Sequence, residues 1–150
     1  MFHVTSAIIC SFAILGPITA QDSAVAPVKQ SQITVVQQSP LLDGFLDDEV
    51  WQQAAKIDDF TEVKPKQGRP AAQRTVCYLA RDHEFLYIAF ECFEDNVGEM
   101  VLQNVSRDAF LSDDDRIEFV LDTFNNKQSA YFFQMSAAGS RGDALISENG

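Results

Sequence analysis

Apolar and polar positions alternate most regularly between residues 116 and 122. Ile117, Phe119 and Leu121 fall on one side of an extended chain, while Arg116, Glu118, Val120 and Asp122 fall on the other. A period of two with one apolar face is the pattern of a half-buried β-strand. Ser112-Asp113-Asp114-Asp115 reads as the loop that leads into it. The same alternation, bounded by turn residues, predicts strands over 33–36, 59–63, 74–80, 85–93, 130–135 and 143–146. Within 85–93, Leu86, Ile88, Phe90 and Cys92 share one face and Tyr87, Ala89, Glu91 and Phe93 the other. Both faces are largely apolar, which predicts a central strand. Arg81-Asp82-His83-Glu84 turns the 74–80 strand into it, and Asn125-Asn126-Lys127 turns the 116–122 strand into 130–135.

One segment breaks the period of two. After Pro40 and the turn signal Asp43-Gly44, Asp47 is a good helix N-cap, with Asp48 and Glu49 at the positive end of the helix dipole. Leu46 before the cap and Trp51 within the helix form a hydrophobic staple, so Trp51 is expected to pack rather than to meet ligand. One short helix among six or seven strands predicts an all-β fold, an antiparallel β-sandwich or jelly roll with one short N-terminal helix.

The amino-terminal residues follow a different logic. An apolar run over 7–15 is broken by Gly16-Pro17, and Ile18-Thr19-Ala20 supplies the small residue that a signal peptidase requires. Residues 1–20 are therefore expected to be a signal peptide, 21–32 a linker and 33–150 the folded domain. The protein is then exported to the periplasm, the outer membrane or the extracellular space. A bilayer span needs about 20 apolar residues, more than this run provides, so no membrane span is expected.

Charge and cysteine content narrow the partners. Twenty-two acidic residues against 11 basic ones give a net charge of -11, which argues against binding nucleic acid or an anionic membrane. In the mature chain only Cys77 and Cys92 remain, on neighbouring predicted strands. A bridge between adjacent strands is geometrically demanding, so two free core thiols are the expectation.

Little in the chain points to catalysis. Glu118 and Asp122 share a strand face but are four residues apart, about 13 Å at the rise of a strand. Paired glycosidase carboxylates need about 5 to 9.5 Å. No nucleophile elbow, zinc-binding helix motif or phosphate loop is present. If the parent protein is an enzyme, a hydrolase acting on O-glycosyl bonds, its catalytic part is expected outside these residues. The carboxylates of Asp113, Asp114 and Asp115 form the one candidate metal site, with calcium as the hard cation they would suit. Arg141-Gly142-Asp143 spells an integrin-recognition tripeptide, a match short enough to arise by chance.

Several of these segments recur together, in order, in one known family. Asp43-Gly44, Leu46-Asp47, Glu49, Trp51 and Ala54 come first. The run 85–90, Arg107-Asp108 with Ser112-Asp113-Asp114, and the run 117–124 follow. Tyr131-Phe132-Phe133 before Gly139 and Asp143 completes the set. Over residues 33–150 the chain resembles the family 9 carbohydrate-binding modules, in the divergent form found at the front of long secreted bacterial proteins. The resemblance implies a non-catalytic β-sandwich that binds the ends of oligo- or polysaccharides between two aromatic rings, with structural calcium. It also implies that the domain is part of a longer polypeptide and is incomplete at its carboxyl end.

By motif matching, Glu118 takes the place of a sugar-contacting Glu, and Gln134 stands where the family has a basic contact residue. Phe110 is the nearest ring to the position of the missing stacking Trp, and Arg116 joins them on the outward face. A second reading keeps the sandwich without the sugar site, as a structural or interaction module of an envelope protein.

Amino-terminal sequencing of secreted protein should begin at Gln21. Met1 on the mature protein would remove the argument for export.

Overall fold

The computed structural model describes residues 30–63, 67–109 and 111–147. The predicted signal peptide and most of the predicted linker lie outside the described residues. From Ser31 onward the described residues fall within one compact unit. Its elements are β1 (Thr34–Val35), α1 (Glu49–Gln53), β2 (Ala55–Ile57), β3 (Thr75–Arg81), β4 (Leu86–Cys92), a 3-10 turn (Val97–Glu99), β5 (Arg116–Leu121), β6 (Ala130–Ser136) and β7 (Arg141–Ile146). The fold is all-β, built from two sheets.

β3 organises the first sheet. β2 pairs antiparallel with its middle (Ile57↔Cys77 to Ala55↔Leu79), and β1 pairs parallel with its end (Thr34↔Ala80, Val35↔Arg81). β4 runs antiparallel along the whole of β3, from Thr75↔Cys92 to Arg81↔Leu86. β3 therefore has neighbours on both edges and is the central strand. The two apolar faces of β4 had suggested that position for β4, which among the described residues pairs with β3 alone. Its faces are apolar because different layers cover the β3–β4 ribbon on its two sides.

One side meets the helix. Ala80 and Tyr87 are a cross-strand pair, and they bury against Val36, Val50, Trp51 and Ala54, with Leu46, Tyr78 and Ala89 closing the cluster. Trp51 is 4% exposed, and Leu46 packs against its cluster as a staple requires. The cap itself differs by one residue from the expectation. Asp48, not Asp47, precedes the helix, and its carboxylate accepts the Leu41 N–H at 2.8 Å instead of capping. An exposed backbone donor seven residues upstream competes successfully for that oxygen.

The other side of the ribbon meets the second sheet, a meander in the order β5-β6-β7. Phe90 of β4 stacks on Phe119 of β5, centroids 6.1 Å apart, and Phe119 stacks on Phe133 of β6 at 5.0 Å. Offset ring pairs of this kind contribute about 0.5–1.5 kcal/mol each beyond the area they bury.

Three further expectations need correction. Residues 59–63 form no strand. Thr61 makes a single bridge to Pro70, and Glu62 bonds Arg69 and Gly68 within a loop that folds on itself. The β2 strand that forms instead, Ala55–Ile57, follows α1 directly and is recruited by the edge of β3. Cys77 is buried but Cys92 is exposed, so only one of the two thiols belongs to the core. Neither is bridged, since each stands opposite another residue, Cys77 opposite Phe90 and Cys92 opposite Thr75. Finally, β7 begins at Arg141 rather than at 143, because pairing with β6 extends it back to Met135↔Arg141.

The β3–β4 turn is held by one carboxylate. Asp82 accepts the N–H groups of Glu84 and Phe85 at 2.7 Å each, the Tyr87 hydroxyl at 2.6 Å and the Ser39 hydroxyl at 3.2 Å. The Tyr87 hydroxyl, then the Phe85 and Glu84 amides, hold its carboxyl well below the ordinary value of 3.8.

Two predictions follow from this packing. Trp51→Ala should cost about 3–5 kcal/mol in denaturant unfolding, the usual loss for a large buried ring. Trp51→Phe should cost much less, because the indole Nε1 is buried without a partner and its removal relieves a desolvated donor. The second concerns pH. A carboxylate with a lowered pKa stabilises the fold above its unfolded value, and that contribution is lost as pH falls through the folded one. The melting temperature of wild type should exceed that of Asp82→Asn at neutral pH, and the gap should narrow as pH falls below 3.8. A gap that stayed constant down to the acid transition would mean that Asp82 does not hold the turn through its charge.

Candidate functional site

The β5–β6 register decides what the second sheet presents outward. Glu118 lies opposite Gln134, Arg116 opposite Ser136 and Val120 opposite Phe132. Residues directly opposite share a face, so these six are on the side away from the ring stack of Phe119 and Phe133. Arg116 Nε donates to Glu118 Oε1 at 2.5 Å, and Arg116 Nη1 donates to the Leu111 carbonyl at 2.5 Å. A half-exposed ion pair of this kind adds less than about 1 kcal/mol to stability. Its geometric effect is larger. Arg116 clamps the loop before β5 and holds one oxygen of Glu118, leaving Oε2 outside the pair.

Gln134 continues the arrangement across β6. Its Nε2 donates to the Ala109 carbonyl at 3.4 Å, and the buried Gly142 faces it on β7. The 106–109 segment is fastened beside β7 by further bonds. Asp108 N–H donates to the Arg141 carbonyl at 2.8 Å, Arg107 pairs with Asp143 at 2.6 Å, and the Ser140 hydroxyl donates to the Ser106 carbonyl. These bonds also answer for the integrin-like tripeptide. It lies within a strand, with Gly142 buried and Asp143 held by Arg107.

The structure thus brings Arg116, Glu118 and Gln134 onto one face. Phe110 lies outside the described residues. Phe132 was not singled out from the sequence, yet it stands on the same face, two residues from Gln134 and opposite Val120. The signal was available in the Phe132-x-Gln134 spacing, which at a period of two shares a face. It was hidden because Phe133 and Tyr131 alternate equally well, so the apolar pattern of 130–135 does not choose an inner face.

The three aspartates do different things. Asp114 is 6% exposed, and its Oδ2 accepts the N–H groups of Asn104 at 2.9 Å and Gln103 at 3.1 Å, while Oδ1 accepts the Asn104 amide. The Asn104 backbone N–H is the main cause that lowers its pKa; the Asn104 side chain, the Gln103 N–H and the charge of Arg116 add to it. Asp115 Oδ2 accepts the Val101 N–H at 2.7 Å. Asp113 is exposed, with a Ser112 hydroxyl at 3.4 Å. Calcium takes six to eight oxygens converging on one point. Asp114 and Asp115 turn theirs toward the 101–104 backbone, and among the described residues no three acidic, His or Cys side chains gather as a metal group. In this conformation two of the three carboxylates are thus engaged by backbone donors.

Comparison with protein-family models, with curated proteins and with solved structures returns no match for this chain. Among the described residues no helix is long and apolar enough to cross a membrane. What the geometry defines is an all-β protein of two sheets, with an acid–amide pair on the outer face of the second.

Proposed function

We propose that this protein is a carbohydrate-binding module of an exported protein involved in polysaccharide breakdown, non-catalytic itself and folded as a β-sandwich of the jelly-roll kind. The observation that carries the reading is the Glu118–Gln134 pair. A carboxylate and an amide on adjacent strands offer acceptors and a donor on one face, the groups that bind sugar hydroxyls, and bonds to the charged group are the stronger ones. The apolar ring of Phe132 on the same face supplies stacking surface, with less area than an indole. Binding is therefore weak, and the face with Arg116 and Glu118 recognises neutral sugar rather than an anion. The two sheets joined by the ring stack support the sandwich. Calcium enters as a test condition, since Asp114 and Asp115 are engaged by backbone.

A second reading is favoured by a separate observation. Tyr131 and Met135 are each 44% exposed and Leu145 is 64% exposed, although all three lie on the ring-stack face of the second sheet. An apolar face left in water is a docking surface, here for the remainder of a longer envelope polypeptide. On that reading the module is structural.

Isothermal calorimetry of the full chain against mono- and oligosaccharides, with and without calcium, separates the two. The carbohydrate reading expects small exothermic binding that Glu118→Ala abolishes without changing the circular dichroism spectrum. No heat from any sugar with a folded protein leaves the structural reading.

A further inference from the structure

We infer that Gly142 is a positioning residue of the outer face, placed there to let the side chain of Gln134, the cross-strand neighbour of Glu118, lie flat across β7. The inference rests on the carbohydrate reading above and deepens it. A Cβ at residue 142 would stand 2.6 Å from Gln134 Nε2, 3.1 Å from its Cγ and 3.3 Å from its Cδ. Three successive atoms of the side chain therefore run over the bare Cα. Gly142 is buried beneath them.

Backbone conformation does not demand a glycine at this position. The glycines with positive φ are Gly44, Gly68 and Gly139, and Gly142 is not among them. It sits within β7, paired to Gln134, where glycine weakens a strand and a β-branched or aromatic residue would be preferred on propensity alone. What a side chain would exclude is the Gln134 amide.

The end of a glutamine is flexible, so an added methyl pushes the amide away rather than the backbone apart. Gln134 would then lose the Ala109 carbonyl, which anchors Nε2 at 3.4 Å, and with it the fixed position of the amide on the face that Gln134 shares with Glu118. Glycine at 142 thus exchanges strand propensity for a fixed amide. The residues that touch ligand are Glu118 and Gln134, and Gly142 acts through the second.

The test is Gly142→Ala in the full chain, with three readouts. Melting temperature should hold or rise, because alanine suits a strand better than glycine. The Gln134 side-chain amide resonances, assigned by comparison with Gln134→Ala, should shift in the nitrogen–proton spectrum. Affinity for the best-binding oligosaccharide should fall roughly tenfold, a loss of about 1.4 kcal/mol, matching Gln134→Ala, with no further loss in the double variant. An unshifted amide overturns the inference whether or not sugar binds. Absence of sugar binding by wild type overturns the carbohydrate reading instead and leaves the amide spectrum to decide the contact. If Gly142→Ala is destabilised, Gln134→Ser added to it should restore the melting temperature without restoring affinity; failure to restore stability also overturns the inference.

Discussion

The register between β5 and β6 is the constraint on which both the core and the candidate site depend. Phe119↔Phe133 puts two rings face to face on the inner side, where Phe90 of the other sheet completes the stack. The same register sets Glu118 against Gln134 outside. A slip of one residue would turn the rings to water and bury the acid and the amide, each of which would then need partners in an apolar layer. Packing energy thus secures the register, and the polar face inherits its geometry.

Six of the aspartates have a structural use. Asp43 accepts the Phe45 N–H, Asp48 that of Leu41, Asp82 those of Glu84 and Phe85, Asp114 those of Gln103 and Asn104, Asp115 that of Val101, and Asp122 those of Asn126 and Lys127. Each carboxylate accepts loop backbone N–H groups, replacing secondary-structure bonds where the backbone has none. Asp113-Asp114-Asp115 is part of this system. Its clustering in sequence resembles a metal loop, whereas in space two of its three members turn to backbone donors.

The helix side and the ring-stack side differ in how completely they are closed. Around Trp51 and Ala80 the packing excludes water, and the cost is one unpaired indole N–H. On either side of Phe133 along β6, Tyr131 and Met135, with Leu145 opposite Tyr131 on β7, continue the inner face and remain exposed. The two readings of function divide along this contrast, since the outer face offers polar recognition and the open inner face offers docking.

Alternation of period two was enough to place β3, β4, β5 and β6 within a residue or so, because each strand buries one face or both and its apolar residues must then recur on them. Composition likewise marked the Asp43-Gly44 turn, where Gly44 takes a φ of +90°. The tertiary structure alone decided that β3 rather than β4 is central, that 55–57 is a strand and 59–63 is not, and that Cys92 lies outside the core. Those outcomes depend on which edges meet, and local sequence carries no record of its neighbours. Glu118 was legible because a charge amid alternating apolar residues must face outward. Gly142 became meaningful only through what lies above it, for a glycine in a strand says that something approaches closely, and the fold alone says that it is Gln134.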